Sequence, residues 1–199
     1  WLKSARSTGM AEACASCNHD GHGPDHVVCA AADCLDTPDE ADLHEIVNGV
    51  FLGGERAAIS WDVLEERQIR AVINCAAEIA SPFGKKGVKY QYPDLDNHDA
   101  AHLGRIFDEA GTFIDAALHQ GDHVLVHCFE GRSRSAAVII AFLMLRRGLD
   151  YPEALELVQR QRPLVRTRPP SQWFQDVLQN LPVKGCTHKQ SPSEEQSNC

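Results

Sequence analysis

One stretch of the sequence, His127 to Ser135, concentrates residue types that bind and attack a phosphate ester. It reads His-Cys-Phe-Glu-Gly-Arg-Ser-Arg-Ser, and it lies between two apolar segments, His123 to Val126 and Ala136 to Leu145. These segments predict a buried strand, a loop and a buried helix in that order. A loop that enters a helix in this way directs free backbone N–H groups and the positive end of the helix dipole at one point, which makes it an anion site.

The spacing Cys-x5-Arg within this stretch predicts nucleophilic chemistry at phosphorus. Cys128 lies at the predicted helix N-terminus beside cations, a setting that lowers a thiol pKa, and a thiolate can displace the leaving oxygen to form a phosphocysteine. Arg134 offers a planar fork for two phosphate oxygens. Gly131 lets the backbone turn tightly, and Ser135 is placed to donate to the sulfur when it leaves. The alternative is a buried cysteine in a tight turn, but His127 and the full spacing argue against coincidence. The predicted phosphate-binding residues are Cys128, Phe129, Glu130, Gly131, Arg132, Ser133 and Arg134.

The run from His127 to Ser135 resembles the signature of the protein tyrosine phosphatase superfamily, and Cys-x-x-Gly-x-Ser-Arg-Ser is similar to the form found in its dual-specificity branch. The resemblance extends over about residues 44–181. It implies one α/β catalytic domain of the small atypical type, without a kinase-docking domain and without a cofactor. It also implies hydrolysis of phosphotyrosine, and of phosphoserine and phosphothreonine, in phosphoprotein substrates. Relatives often carry Pro-Asn in a late loop where this chain has Pro169-Pro170, which leaves open what supports the phosphate loop.

A proton donor for the leaving oxygen is the other requirement of this chemistry, and a carboxylic acid on a nearby loop is the usual source. Asp94, Asp96 and Asp99 follow Pro93 at the end of a predicted strand. In the resembled family the acid lies three residues after this proline, which implies Asp96, and Asp96 lies 32 residues before Cys128 (128 − 96). Asp94 and Asp99 remain alternatives, and all three could instead serve turns and helix caps.

Other cysteines offer two further hypotheses. Cys75 follows a predicted strand, Ala71 to Asn74, and ligands of α/β sheets lie at the carboxyl ends of strands. Cys75 could therefore lie near Cys128. The resemblance implies that it could then be a redox partner of Cys128, and the alternative is a small core residue. A zinc site is the weaker hypothesis, because the spacing Cys-x2-Cys-x11-Cys-x4-Cys is looser than in compact zinc modules. The alternative is an irregular tail with adventitious thiols. The four candidate ligands are Cys14, Cys17, Cys29 and Cys34.

The pattern of the whole chain predicts an α/β fold. Strand-like and helix-like segments alternate, which favours a central, mostly parallel sheet flanked by helices on both faces. We expect Ile46 to Leu52 to form one strand. We also expect a helix with Pro152 in its first turn and an apolar face of Ala154, Leu155 and Val158. The predicted domains are a Cys/His-rich extension over residues 1–40, a catalytic domain over 41–182 and a disordered tail over 183–199. Solvated positions are expected for the late arginines, with a docking patch as the alternative: Arg146, Arg147, Arg160, Arg162, Arg166 and Arg168. Arg132 is expected at the pocket rim or in solvent.

Bulk composition narrows the function classes. The 199 residues carry a net charge of −9, which argues against nucleic-acid binding and against an anionic membrane surface. The start of the chain has no apolar core segment, which favours a reducing intracellular location, the cytoplasm with the nucleus as an alternative. Oligomeric state stays open.

Two functions remain as alternatives to a protein phosphatase. A non-protein substrate (a phosphoinositide, RNA 5′-phosphate or phosphoglucan) is the second hypothesis, although Glu130 would repel a polyanion. A non-catalytic phosphate-binding scaffold is the third, and the presence of both Cys128 and Arg134 argues against it.

Overall fold

A five-stranded, mostly parallel sheet forms the centre of the fold. The computed structural model describes residues 42–96 and 99–182. Within them the strand order is β1-β2-β5-β3-β4, with β1 antiparallel to β2 and the other neighbours parallel. The predicted α/β class and sheet type are confirmed. The strands are Leu43–Val47 (β1), Val50–Gly53 (β2), Ile69–Asn74 (β3), Lys89–Gln91 (β4) and His123–His127 (β5).

Helices cover both faces of the sheet, as predicted, but unequally. The first two helices pack on one face and the long third and fourth helices, with the fifth and seventh, pack on the other. A short 3₁₀ turn at Gly84–Lys86 precedes β4. The helices of the described part are Glu55–Ala58 (α1), Trp61–Glu66 (α2), Ala100–His119 (α3), Arg134–Arg147 (α4), Tyr151–Gln161 (α5), Leu164–Thr167 (α6) and Gln172–Gln179 (α7).

The central strand β5 shows why its three middle residues, Val124 to Val126, are all apolar. Val124 and Val126 point to the larger cluster under α3 and α4, while Leu125 points to the smaller cluster under α1 and α2. Successive side chains of a strand alternate between faces, and here both faces are covered, so none of these three positions is polar. This burial fixes the strand and therefore the point at which the loop after it begins.

The single strand expected over Ile46 to Leu52 is wrong, because the chain reverses within it. Asn48 and Gly49 form the turn of a hairpin, with Val47 paired to Val50. Gly49 has a φ of 77°, and a Cβ there would lie 2.9 Å from Leu118 Cδ2. Asn-Gly is the common signal for a two-residue hairpin turn. The hairpin adds β1 as an antiparallel edge strand, which a single strand would have left out.

Helix α4 carries the candidate site at its first turn. All its residues from Ser135 to Met144 are buried, in accordance with an apolar pattern all round the helix. Gly148 ends it at a φ of 72°, the left-handed cap expected there. Asp150 and Glu153 then form a capping box that begins α5. The predicted domain limits at residues 40 and 183 lie at or beyond the edges of the described residues and stay predictions.

Candidate active site

The loop between β5 and α4 is held from two sides by neighbouring chain segments. The N–H of Cys75 donates to the His127 carbonyl oxygen at 2.9 Å, and the N–H of Glu55, at the start of α1, donates to the Phe129 carbonyl oxygen at 3.0 Å. Gly131 turns the loop at a φ of 67°. Cys128 lies inside this turn with 3% of its surface exposed. The expected strand, loop and helix therefore occur in the predicted order.

The Cys128 thiol has opposing influences on its ionisation. Burial raises its pKa, but hydrogen bonds from the Ser135 hydroxyl and from the N–H groups of Ser135, Arg132 and Gly131 lower it, and the net direction is downward. The Ser135 oxygen lies 3.2 Å from the Cys128 sulfur. Donors aimed at a sulfur stabilise the thiolate over the thiol. The arrangement favours an ionised, nucleophilic sulfur.

Arg134 lies at the first position of α4 and pairs with a carboxylate that sequence reasoning missed. Its Nη2 donates to Glu78 Oε1 at 2.9 Å, from the turn that follows β3. Burial lowers the pKa of Arg134, but Glu78, the Cys128 sulfur and Asp96 raise it, and the net direction is upward. A guanidinium has five N–H donors, so donors besides the one on Glu78 remain for an oxyanion.

The three candidate acids have different surroundings. Asp94 pairs with His102 at 3.5 Å, and Asp99 caps α3 by accepting from the Ala101 N–H at 2.9 Å. Asp96 is exposed and close enough to raise the pKa of Arg134. The charge of Asp96 acts on Arg134 of the loop, which accords with its predicted role without testing it.

The prediction of a solvated Arg162 is wrong. This residue ends α5 and lies beneath the phosphate loop with 1% of its surface exposed. Its Nε donates to the Gly131 carbonyl oxygen at 2.7 Å and its Nη2 to the Glu130 carbonyl oxygen at 2.9 Å. A signal existed in the sequence: Arg162 continues the four-residue spacing of the buried Ala154 and Val158. Arginine is rarely buried, and that general preference hid the pattern.

The rim of the loop carries mixed charge and one exposed aromatic ring. Glu130 forms an ion pair with Arg132 and a second one, at 3.7 Å, with Arg168. Its carboxylate is therefore partly compensated, which weakens the argument that it repels a polyanionic substrate. Phe129 is 56% exposed beside it.

The loop also receives support from the segment after α6. Ser133 Oγ accepts a hydrogen bond from the Ser171 N–H at 3.2 Å. Ser171 follows Pro169 and Pro170, where relatives often carry Pro-Asn. A backbone N–H and Arg162 together answer the question of what supports the loop in this chain.

Cys75 and His127 occupy the buried side of the site. Cys75 and Cys128 are both free thiols, and burial followed by the nearby Cys128 charge raises the pKa of Cys75 well above its usual value. Burial also lowers the pKa of His127 to about 4. A redox role for Cys75 stays a prediction.

The predicted zinc ligands, Cys14, Cys17, Cys29 and Cys34, lie outside the described residues, and no cluster of three or more metal-binding side chains occurs within residues 42–96 and 99–182.

This fold and site define a class: cysteine-based phosphatases, in which a buried thiol lies in an anion-binding loop at a helix N-terminus. Comparison with known proteins gives the family. The chain belongs to the dual specificity phosphatases, since the sequence model of their catalytic domain matches residues 50–177. It is thereby a cysteine-based protein phosphatase.

Individual relatives agree with this assignment. The chain is 37% identical over 121 residues to dual specificity protein phosphatase 1B of Arabidopsis thaliana. The aligned region covers 61% of this chain and 72% of the relative. The crystal structure of human DUSP28 superposes with a TM-score of 0.61 at 29% identity, covering 71% of this chain and 93% of that one. The crystal structure of the human tyrosine phosphatase-like serine/threonine/tyrosine-interacting protein superposes with a TM-score of 0.62 at 32% identity. The match covers 70% of this chain and 94% of that one. In the described ranges, no helix combines the length and apolar character needed to cross a membrane.

Proposed function

We propose that Cys128 is the nucleophile with which this phosphatase hydrolyses phosphoprotein substrates through a phosphocysteine. The observation that carries the proposal is the buried sulfur that accepts from the Ser135 hydroxyl and from loop N–H groups. The thiolate attacks phosphorus, a P–S bond forms, and the bond to the substrate oxygen breaks. Water then attacks the phosphocysteine, the P–S bond breaks, and phosphate leaves while the Ser135 hydroxyl stabilises the departing thiolate.

Arg134 and the loop N–H groups bind the phosphate in this mechanism. The Arg134 guanidinium takes two oxygens, and the N–H groups of residues 129–134 take the others as charge spreads over them in the transition state. Asp96 supplies the proton to the leaving oxygen and then removes one from the attacking water. Its electrostatic influence on Arg134 supports this assignment. His127 stays neutral behind the loop.

Phosphotyrosine, phosphoserine and phosphothreonine in proteins are the proposed substrates, and nucleic acids and membranes are not proposed as partners. The printed names of the relatives, dual specificity protein phosphatases, support this substrate class. The exposed Phe129 ring at the rim can pack against a substrate side chain. We also propose a cytoplasmic location, supported by the free Cys75 and Cys128 thiols, since such thiols persist in reducing compartments. Imaging of the tagged protein in cells tests the location.

Phosphate release from phosphotyrosine and phosphothreonine peptides, beside a phosphoinositide, tests the function. We expect reduced wild-type protein to turn over both peptides and Cys128→Ser to lose turnover completely, because the serine hydroxyl is not ionised at neutral pH. Cys75→Ser, a matched change at a second buried thiol of the described residues, should retain turnover. Turnover that survives in Cys128→Ser, or none by wild type, would refute the proposal. Faster turnover of the phosphoinositide would move the substrate to the non-protein class.

A further inference from the structure

Two hydrogen bonds on the back of the phosphate loop have a geometric consequence at its front. Arg162 holds the carbonyl oxygens of Glu130 and Gly131 at 2.9 Å and 2.7 Å. The Glu130 carbonyl shares a peptide plane with the Gly131 N–H, and the Gly131 carbonyl shares one with the Arg132 N–H. In a trans peptide the C=O and the N–H point to opposite sides. A guanidinium that fixes the two carbonyls therefore fixes the direction of the two N–H groups.

These two N–H groups are donors to the catalytic sulfur. Gly131 and Arg132, together with Ser135, are the residues whose N–H groups lower the pKa of the Cys128 thiol by hydrogen bonding. A cation on the carbonyl side polarises each peptide and makes its N–H a stronger donor. Arg162 and Cys128 thus lie on opposite sides of the same two peptide groups.

We propose that Arg162 is a positioning residue that aims the Gly131 and Arg132 N–H groups at the Cys128 sulfur and at the oxyanion bound there. It touches neither substrate nor sulfur in this role: it acts through the loop backbone, and its positive charge adds a through-space attraction for the thiolate. Gly131 is part of the device, because a Cβ at this position would lie 2.7 Å from Arg162 Nη2 and would overlap the Gly53 carbonyl. Only a glycine allows the guanidinium to approach both carbonyls.

The edge strand β1 and the residue before it complete the support of Arg162. Its Nη1 donates to His44 Nδ1 at 3.0 Å, and its Nη2 also reaches Asp42 Oδ1 at 3.3 Å. Burial and the Arg162 charge lower the pKa of His44, which keeps that ring neutral and able to accept. Asp42 and His44 both precede the segment that the family model matches. The loop is therefore tied to residues that a domain limit at residue 50 would omit.

Few other charged or titratable groups act on the sulfur in the described part of the chain. Cys75 at the end of β3, Arg132 in the loop, Arg134 at the start of α4 and Arg162 at the end of α5 each interact electrostatically with Cys128. Removing the Arg162 cation withdraws stabilisation from the thiolate, and removing the Asp42 anion has the opposite effect because it leaves Arg162 less compensated. The two changes should shift the Cys128 pKa in opposite directions.

The test is the pH dependence of Cys128 alkylation by iodoacetamide, read at the Cys128 peptide by mass spectrometry. For Arg162→Met we expect the profile to move up by about half a pH unit or more, and alkylation at acid pH to slow roughly threefold, with weaker vanadate inhibition. Arg160→Met, an exposed arginine on the same helix, should leave the profile unchanged. For Asp42→Asn we expect a shift to lower pH.

The opposite signs separate positioning from a general loss of structure, which would move Arg162→Met and Asp42→Asn together. If Arg162→Met fails to fold, Arg162→Lys serves instead: it keeps the charge but cannot hold both carbonyls, so we expect a smaller upward shift. An unchanged profile in Arg162→Lys, or a shift of Arg162→Lys and Asp42→Asn in the same direction, overturns the inference. The inference rests on the proposed role of Cys128 but alkylation needs no turnover, so an inactive wild type with the expected shifts would refute the proposed function alone.

Discussion

At the scale of single residues, the proposed mechanism asks opposite things of two acids. The Cys128 thiol must be ionised to attack, and hydrogen bonds from Ser135 and the loop lower its pKa in spite of burial. The Asp96 carboxyl must carry a proton when the substrate oxygen leaves. The first requirement is built into a buried loop, whereas the second falls on an exposed side chain that follows β4.

Asp96→Asn should reveal the acid through its dependence on the leaving group. We expect turnover of a phosphothreonine peptide to fall by about 10²–10⁴-fold, because an alkoxide leaves poorly without a proton. Turnover of an aryl phosphate with an acidic phenol should fall far less, since its leaving oxygen needs little protonation. The measurement is kcat for both substrates at one pH.

Asp94→Asn is the matched control for this change. Asp94 lies two residues away and pairs with His102, so its replacement should change kcat for either substrate by no more than about twofold. Equal losses for both substrates in Asp96→Asn, or a leaving-group effect that appears in Asp94→Asn instead, would remove Asp96 from the role of acid.

At the scale of secondary structure, the site is a loop clamped between β2 and α5. Gly131 passes so close to the Gly53 carbonyl that no side chain fits, and its φ of 67° is one that residues with a Cβ rarely adopt. Arg162 closes the other side. The loop is thus defined by contacts with elements distant in sequence as well as by its own residues.

Gly131→Ala should be more damaging than its conformation alone explains. We expect a loss of activity of more than tenfold and a free energy of unfolding lowered by about 2–4 kcal/mol, since overpacking adds to the backbone cost. Gly121→Ala is the matched control: its φ of 80° is similar, but no atom lies within 4 Å of the new Cβ. We expect Gly121→Ala to lower the free energy of unfolding by about 1–2 kcal/mol and to keep full activity.

Urea unfolding and phosphate release on the two variants separate the explanations. Equal destabilisation of Gly131→Ala and Gly121→Ala would mean that backbone strain, not contact with Gly53, determines the need for glycine. Full activity in Gly131→Ala would mean that the loop can shift without losing the phosphate.

At the scale of the whole molecule, His127 links the site to global stability. It ends β5, in the centre of the sheet between β2 and β3, and is fully buried. Burial lowers its pKa from 6.5 to about 4. Below pH 6.5 the unfolded chain takes up the proton and the folded chain does not, so stability falls as the pH drops from about 6.5 to about 4.

The expected size of this effect is about 2–3 kcal/mol between about pH 7.5 and pH 4.5, given 1.36 kcal/mol per pKa unit. Other groups titrate over the same range, so the measurement is the difference between wild type and His127→Gln in urea unfolding at both pH values. We expect the variant to be less stable at neutral pH but to lose about 2–3 kcal/mol less on acidification. Identical pH dependence in both proteins would mean that His127 does not stay neutral in the fold.

The sequence by itself determined the chemistry of the loop and the class of fold. Cys128, Gly131, Arg134 and Ser135 lie within eight residues, so their proximity follows from local chain geometry, and the apolar runs on either side predict the strand and helix that hold them. The Gly148 cap likewise depends on local conformational preference.

Only the tertiary structure decided which distant residues support that loop. Arg162 reaches the loop from 31 residues away (162 − 131), Asp42 reaches Arg162 from 120 residues away (162 − 42), and Glu78, in the turn after β3, reaches Arg134. Such contacts depend on sheet order and helix packing, which local preferences do not encode. A buried arginine is also the exception to a general rule, and its carbonyl partners are backbone atoms that no pattern of side chains identifies.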